Sequence, residues 1–168
     1  MHMPKRSAGI LAYHWKDRRL EVLLGHPGGP YWNHRDQGAW SILKGEYEEG
    51  ENPEAAARRE FMEESGWTLS VPLEPLGEIR QRSGKTIIAY AAQADMDPAT
   101  LSSNMFEMEW PPGSKRMQFF PEIDRAGWFA LTEASAKIVP GQTGFLDRLA
   151  LGLARLHNGG PKRAQSKG

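Results

Sequence analysis

The stretch from Gly45 to Trp67, GEYEEGENPEAAARREFMEESGW, constrains this chain more than any other part of it. Gly45 opens it and Gly66 stands near its end, with Glu51, Arg59-Glu60 and Glu63-Glu64 between them. Asn52 is a good N-cap, and Pro53 suits the first helical position, where no N–H is needed. Glu54 complements the positive end of the helix dipole, and Ala55, Ala56 and Ala57 are the best helix formers. Gly66 suits a left-handed stop. These signals predict a helix from Pro53 to Ser65. On it, three- and four-residue spacings put Glu60, Glu63 and Glu64 on one face, with the small Ala56 one turn before Glu60.

Like charges so spaced cost a helix about 0.2–0.5 kcal/mol per pair, so the cluster needs a counter-charge. Oxygen donors with room for water suit Mg²⁺ or Mn²⁺, ions that share phosphate oxygens with a substrate. The alternative is an acidic helix face left to solvent. The glycines, Arg59 and Glu51, at set offsets around the glutamates, favour the cation.

In this arrangement the segment resembles the Nudix box, the signature of the Nudix hydrolases. That pattern runs glycine, five residues, glutamate, seven residues, arginine-glutamate, an aliphatic residue, any residue, glutamate-glutamate, any residue, glycine and an aliphatic residue. Gly45, Glu51, Arg59, Glu60, Glu63, Glu64 and Gly66 match. Phe61 and Trp67 depart from it but stay apolar, and Leu43 stands where a proline is frequent. The resemblance implies an α/β chain with the Nudix fold, a mixed β-sheet sandwiched between helices (an αβα sandwich). It implies Mg²⁺-dependent hydrolysis, with Mn²⁺ able to substitute, of a phosphoanhydride bond in a nucleoside diphosphate linked to another group.

Carried over residue by residue, Glu60, Glu63 and Glu64 are the catalytic metal-binding set, with Glu64 the most essential. Glu60 alternatively orients or deprotonates the attacking water. Gly45 allows a tight turn and brings its carbonyl toward the metal. Glu51 and Arg59 hold the loop and the helix carboxylates in place. In such proteins a carboxylate from a later loop often joins the site. Glu107, Glu109, Glu122 and Asp124 are candidates, with Glu107 and Glu109 on an outward strand edge. Each is alternatively an ordinary surface acid. Lys44 either meets substrate phosphate or is a surface lysine.

Composition narrows the class. The 168 residues suit one domain with a substantial core, assigned to 4–157, followed by a polar tail at 158–168 expected to be disordered. Lys+Arg and Asp+Glu are both 21, so the net charge of zero gives no strong signal for nucleic acid and no drive toward membranes. Without cysteine there is no disulfide framework, thiolate metal site or cysteine nucleophile. No apolar run is long enough to span a membrane, and no secretory segment opens the chain. A cytoplasmic enzyme is the expectation.

Around the box, Ser7–Trp15 and Leu20–His26 read as strands, as does Trp40–Lys44 leading into it. Pro75–Gln81 and Lys85–Asp95 read as a hairpin. Phe106–Trp110 reads as a strand with Phe106, Met108 and Trp110 on one face and Glu107 and Glu109 on the other. Gly127–Leu131 reads as a strand, Thr132 as the cap of a short helix, and Gln142–His157 as an amphipathic helix with Phe145, Leu146, Leu149, Leu153 and Leu156 inward. Phe119, Phe120 and Trp128 are assigned to the core.

Substrate choice is the least constrained feature. Tyr31 and Trp32 end a glycine-rich loop, where either stacks on a base or packs as a hydrophobic lid; stacking is worth about 1–3 kcal/mol. The cysteine of the isoprenoid diphosphate isomerases, the SQPWPF array of the NADH-hydrolysing branch and the proline of the ADP-ribose branch are all missing. A small-molecule nucleotide, either a nucleoside triphosphate or a dinucleoside polyphosphate, is therefore expected as substrate. An RNA 5′-pyrophosphohydrolase and a noncatalytic nucleotide-binding module of the same fold remain alternatives. Homodimers are common among these proteins and are possible here.

Overall fold

A computed structural model describes residues 5–165, with side chains through 156. Strands β1 (Arg6–Lys16) and β2 (Arg19–Pro27) form a hairpin whose turn residues, Asp17 and Arg18, both have positive φ, as a two-residue hairpin turn requires. Then follow β3 (Leu43–Glu46), α1 (Pro53–Ser65), β4 (Glu74–Arg80) and β5 (Thr86–Gln93). Next come β6 (Met105–Glu109), β7 (Met117–Pro121), β8 (Ile123–Ala130), α2 (Leu131–Lys137) and α3 (Thr143–Gln165).

The main sheet runs β4-β5-β1-β2-β8, with β3 added to β1. It is mixed, because β1 pairs β5 in parallel and its other partners antiparallel. One edge of β1 belongs to β5. The other is shared, Ser7–Ile10 bonding β3 and Tyr13–Lys16 bonding β2. The strand that leads into the glutamate-rich helix is thus fastened to the centre of the sheet.

Alternate residues of β1 serve two cores. Ala8, Ile10 and Ala12 pack with Leu43, Ala56, Ala57 and Phe61 under α1. Leu11 and Tyr13 pack with Ala134, Phe145, Leu146 and Leu149 of the opposite helical layer. The αβα sandwich is the architecture seen. Among the described residues no helix is long and apolar enough to cross a membrane.

Helix α1 has the predicted bounds. The Asn52 side chain accepts from Ala55 N at 3.0 Å, and Gly66, at φ 79°, donates its N–H to Met62 O at 2.7 Å. Phe61 is fully buried and Trp67 packs against the same core, so both departures from the family pattern serve as apolar wall.

Other expectations need correction. β7 was not expected; with β6 it forms a separate two-stranded arm. An arm of two strands buries one face at most, so Phe119, expected in the core, is 66% exposed. Leu156 is 65% exposed, because the apolar stripe of α3 makes its last core contact at Leu153. Helix α2 starts two residues early, with Ala130 rather than Thr132 at the cap position and no side-chain cap bond. The backbone of α3 runs on to Gln165, through the segment expected as tail. Residues 166–168 lie outside the described ones.

Replacing Asn52 by alanine is expected to lower stability by about 1 kcal/mol, measured by urea unfolding, because the Ala55 N–H loses its acceptor. No change would mean that the cap contributes nothing to seating α1.

Candidate active site

Three elements converge at the C-terminal half of α1. β3 passes beneath it, and Gly45 pairs with Ala8 of β1. A Cβ on Gly45 would collide with the Glu60 carboxylate. Gly45 has no positive φ, so the tight turn expected from the sequence does not call for glycine there; a side chain would instead push the Glu60 carboxylate aside.

Arg59 then ties the carboxylates together. Its Nη2 donates to Glu51 Oε1 and Oε2 at 3.2 and 3.1 Å, and its Nη1 donates to Glu60 Oε1 at 2.8 Å. Glu63 Oε1 lies at 3.5 Å from the same Nη1. The forked guanidinium can serve several carboxylate oxygens at once, which a lysine cannot.

Helix polarity works against this cluster. Glu63 and Glu64 lie at the negative end of the α1 dipole, and its last turn has no basic residue. Glu64 is half-buried. Burial, then Glu122 and Glu60, push its carboxyl up to about 8, against the opposing pull of Lys44. Burial also raises Glu60, partly offset by Arg59, and raises Glu122. Lys44 is lowered by burial and then by Lys85, while Glu64 works the other way.

The charges on this side are Glu51, Glu60, Glu63, Glu64 and Glu122 against Arg59 and Lys44. This oxygen-rich set, short of positive charge, fits a hard divalent cation in donor chemistry. Among the described residues no three such side chains are gathered at coordination distance. Glu60 instead turns onto Arg59 and Gly45.

The carboxylates outside the box separate by geometry. Glu109, a candidate from the sequence, accepts from Gly113 N at 2.9 Å and Lys115 N at 3.1 Å, closing the turn of its own hairpin. Glu107 is exposed on the same arm. Neither contacts the glutamates of α1. Glu122, at the corner between β7 and β8, does face Glu64 electrostatically. Asp124 instead pairs with the fully buried His26 at 2.9 Å.

Asn104 lies between these groups, and the sequence offers no signal for it. Its N–H donates to Glu63 O at 2.9 Å, and its carbonyl accepts from Glu122 N at 2.9 Å.

The loop after β2 rests on the same corner. Gly28 N donates to Glu122 O at 3.0 Å, and a Cβ on Gly28 would meet Pro121 O. Farther on, His26 Nε2 donates to Arg35 O at 2.6 Å, which fastens the loop's far side. Between these anchors Tyr31 is 60% exposed and meets Trp110 edge-on, with ring centroids 5.3 Å apart. Trp32 packs against the core of the α3 layer, with Arg35 over its ring. The packed-lid alternative therefore describes Trp32, while Tyr31 keeps a free face.

Fold and site define an α/β protein that crowds acidic side chains at the end of one helix, beside a loop with an exposed aromatic. Residues 3–149 match the NUDIX domain family model, and the chain belongs to that family. No curated protein matches it in sequence.

Solved structures share the fold. The NUDIX domain of Shewanella oneidensis NrtR complexed with ADP ribose is 14% identical, with a TM-score of 0.65, over 91% of this chain and 90% of that one. A mutT/nudix family protein from Listeria innocua is 20% identical, with a TM-score of 0.62, over 92% and 97%. A C. elegans Ap4A hydrolase in a binary complex is 21% identical, with a TM-score of 0.60, over 89% and 98%.

The raised Glu64 carboxyl has a signed consequence. Without metal, burial and the acidic neighbours hold the folded Glu64 carboxyl up at about 8, well above the ordinary carboxylate value of 4.5 that applies when it is unfolded. Between these values the folded state binds more protons, so stability falls as pH rises. In EDTA, Tm is expected to fall from pH 5 to pH 8.5, and Glu64→Gln is expected to flatten the slope. An unchanged slope in the variant would remove Glu64 as its source.

Proposed function

We propose that this protein hydrolyses a phosphoanhydride bond in a nucleoside diphosphate linked to another group, with Mg²⁺ as cofactor and Mn²⁺ able to replace it. The observation that carries this reading is the complete glutamate set on α1, short of counter-charge and tied together by Arg59 alone. A protein that only bound nucleotide would have no use for so unfavourable a cluster at the negative end of a helix.

Glu60, Glu63 and Glu64, with the Gly45 carbonyl, would hold the cation, Glu60 and Glu63 turning from Arg59 to do so. The bound ion neutralises phosphate oxygens, which is the main requirement of phosphoryl transfer. Arg59, anchored by Glu51, keeps the glutamates in register. Glu122 takes the proton of the attacking water, its basicity raised by burial toward the working range. Water adds to phosphorus, the anhydride P–O bond breaks, and its electron pair leaves on the departing phosphate. Lys44, beside Glu64 and Glu60, contributes positive charge to the phosphate chain.

A nucleoside triphosphate or a dinucleoside polyphosphate is the substrate that fits best. Tyr31 offers its free ring face to a base. The likeness in fold to an Ap4A hydrolase is consistent with this class. The balanced charge lends no support to an RNA 5′ end as substrate.

A panel of nucleoside triphosphates, dinucleoside polyphosphates, ADP-ribose and 5′-triphosphorylated RNA, incubated with Mg²⁺ in ¹⁸O-labelled water, tests the reading. Metal-dependent cleavage of one class, with label in one product phosphate, is expected. Binding without turnover across the panel would favour a noncatalytic module. Glu64→Gln is expected to lower kcat about a thousandfold, the rate equivalent of the several kcal/mol of charge stabilisation a metal supplies. Near-normal turnover in that variant would dissociate the activity from these glutamates.

A further inference from the structure

Helix α1 ends in carbonyls that have no partner within the helix. The segment Ser102–Asn104 supplies them. Ser102 N donates to Ser65 O at 2.8 Å, and Asn104 N donates to Glu63 O at 2.9 Å. The other side of the segment holds the β7–β8 corner: Asn104 O accepts from Glu122 N at 2.9 Å, and Ser103 Oγ accepts from Ile123 N at 3.0 Å. Three residues of irregular chain thus stitch the end of the glutamate helix to the carboxylate that faces it.

The Asn104 side chain adds a contact that no capping role requires. Turned so that its nitrogen faces the two neighbouring acceptors, the amide donates to Glu64 Oε2 at 3.3 Å and to Glu63 O at 3.2 Å, the assignment of the amide that satisfies both oxygens. Among the helix glutamates Glu64 makes none of the ion pairs that Arg59 gives Glu60 and Glu63. The amide is the donor that orients it. A donor on one carboxylate oxygen fixes the carboxylate plane, so the remaining lone pairs keep one direction.

We propose that Asn104 is a positioning residue, which through its side-chain amide holds the Glu64 carboxylate for the metal and through its backbone holds Glu122 across from it. This rests on the hydrolase reading above. Asn104 itself touches neither substrate nor reacting atoms. An aspartate there would keep the backbone bonds, lose the donor and bring another negative charge to Glu64.

Asn104→Ala, Asn104→Asp and Ser103→Ala separate the amide's role from simple loop integrity, since Ser103→Ala removes the bonds to Ile123 N and Asn104 O and leaves the Glu64 contact in place. Mn²⁺ affinity of the purified proteins, titrated by electron paramagnetic resonance, is read beside kcat, KM and Tm. Asn104→Ala is expected to weaken Mn²⁺ binding about tenfold and to lower kcat by a similar factor, with KM within about twofold of wild type. Asn104→Asp is expected to lose more, and Asn104→Gln, which keeps an amide donor, to recover part of the loss. Ser103→Ala is expected to lower Tm and leave Mn²⁺ affinity in place.

Mn²⁺ affinity and kcat within twofold of wild type in Asn104→Ala would overturn the proposal. So would an equal loss of Mn²⁺ affinity in Ser103→Ala. Wild-type protein that binds Mn²⁺ but hydrolyses nothing would sink the hydrolase reading alone, with the Mn²⁺ comparison still deciding Asn104. Wild-type protein that binds no Mn²⁺ would end both.

Discussion

Glu63 and Glu64 occupy the end of α1 where the helix dipole is already negative, and Glu51, Glu60 and Glu122 crowd the same side. A single guanidinium and one half-buried lysine oppose them. Every other feature of the site follows from managing that repulsion. Arg59 spreads its fork over three carboxylates. Glu64 keeps its proton to unusually high pH when no metal is bound. Gly45 gives up its side chain so that the Glu60 carboxylate has somewhere to lie. Such local conflict is tolerated where function supplies the missing partner.

The scaffold makes the conflict sustainable. β1 shares one edge between β2 and β3, which fastens the chain before α1 to the middle of the sheet. Ala56, Ala57 and Phe61 bury α1 against Ile10 and Leu43, so the helix cannot rotate its acids away without opening a core. The loop after β2 is anchored at Gly28 and through His26, with Tyr31 left free between the anchors. A rigid acidic floor beside a loop with an exposed ring suits a ligand with a phosphate chain at one end and a base at the other.

Much of this was legible in the chain where the signals are local. Asn52, Pro53 and Gly66 mark α1 to the residue, and helical spacing alone puts Glu60, Glu63 and Glu64 together. What was not legible depends on contacts between distant segments. Of the four later acids the sequence favours Glu107 and Glu109; a corner between β7 and β8 instead brings Glu122 to Glu64, and a turn takes up Glu109. Asn104 carries no motif, and its role comes from the chain crossing the end of α1. Phe119 misled because hydrophobicity predicts burial only where a second layer exists, and the β6–β7 arm has none on that face. The tight approach of β3 to α1 at Gly45 likewise appears only once the sheet is assembled.

Anomalous diffraction at the manganese edge, from crystals soaked with Mn²⁺ and a non-hydrolysable dinucleoside polyphosphate, tests the central claim most directly. A peak coordinated by Glu60 and Glu64, bridged to a phosphate oxygen of the analogue, is the expected result. Manganese bound elsewhere, with these glutamates still paired to Arg59, would contradict the claim that this cluster exists to hold a cation against a phosphate chain.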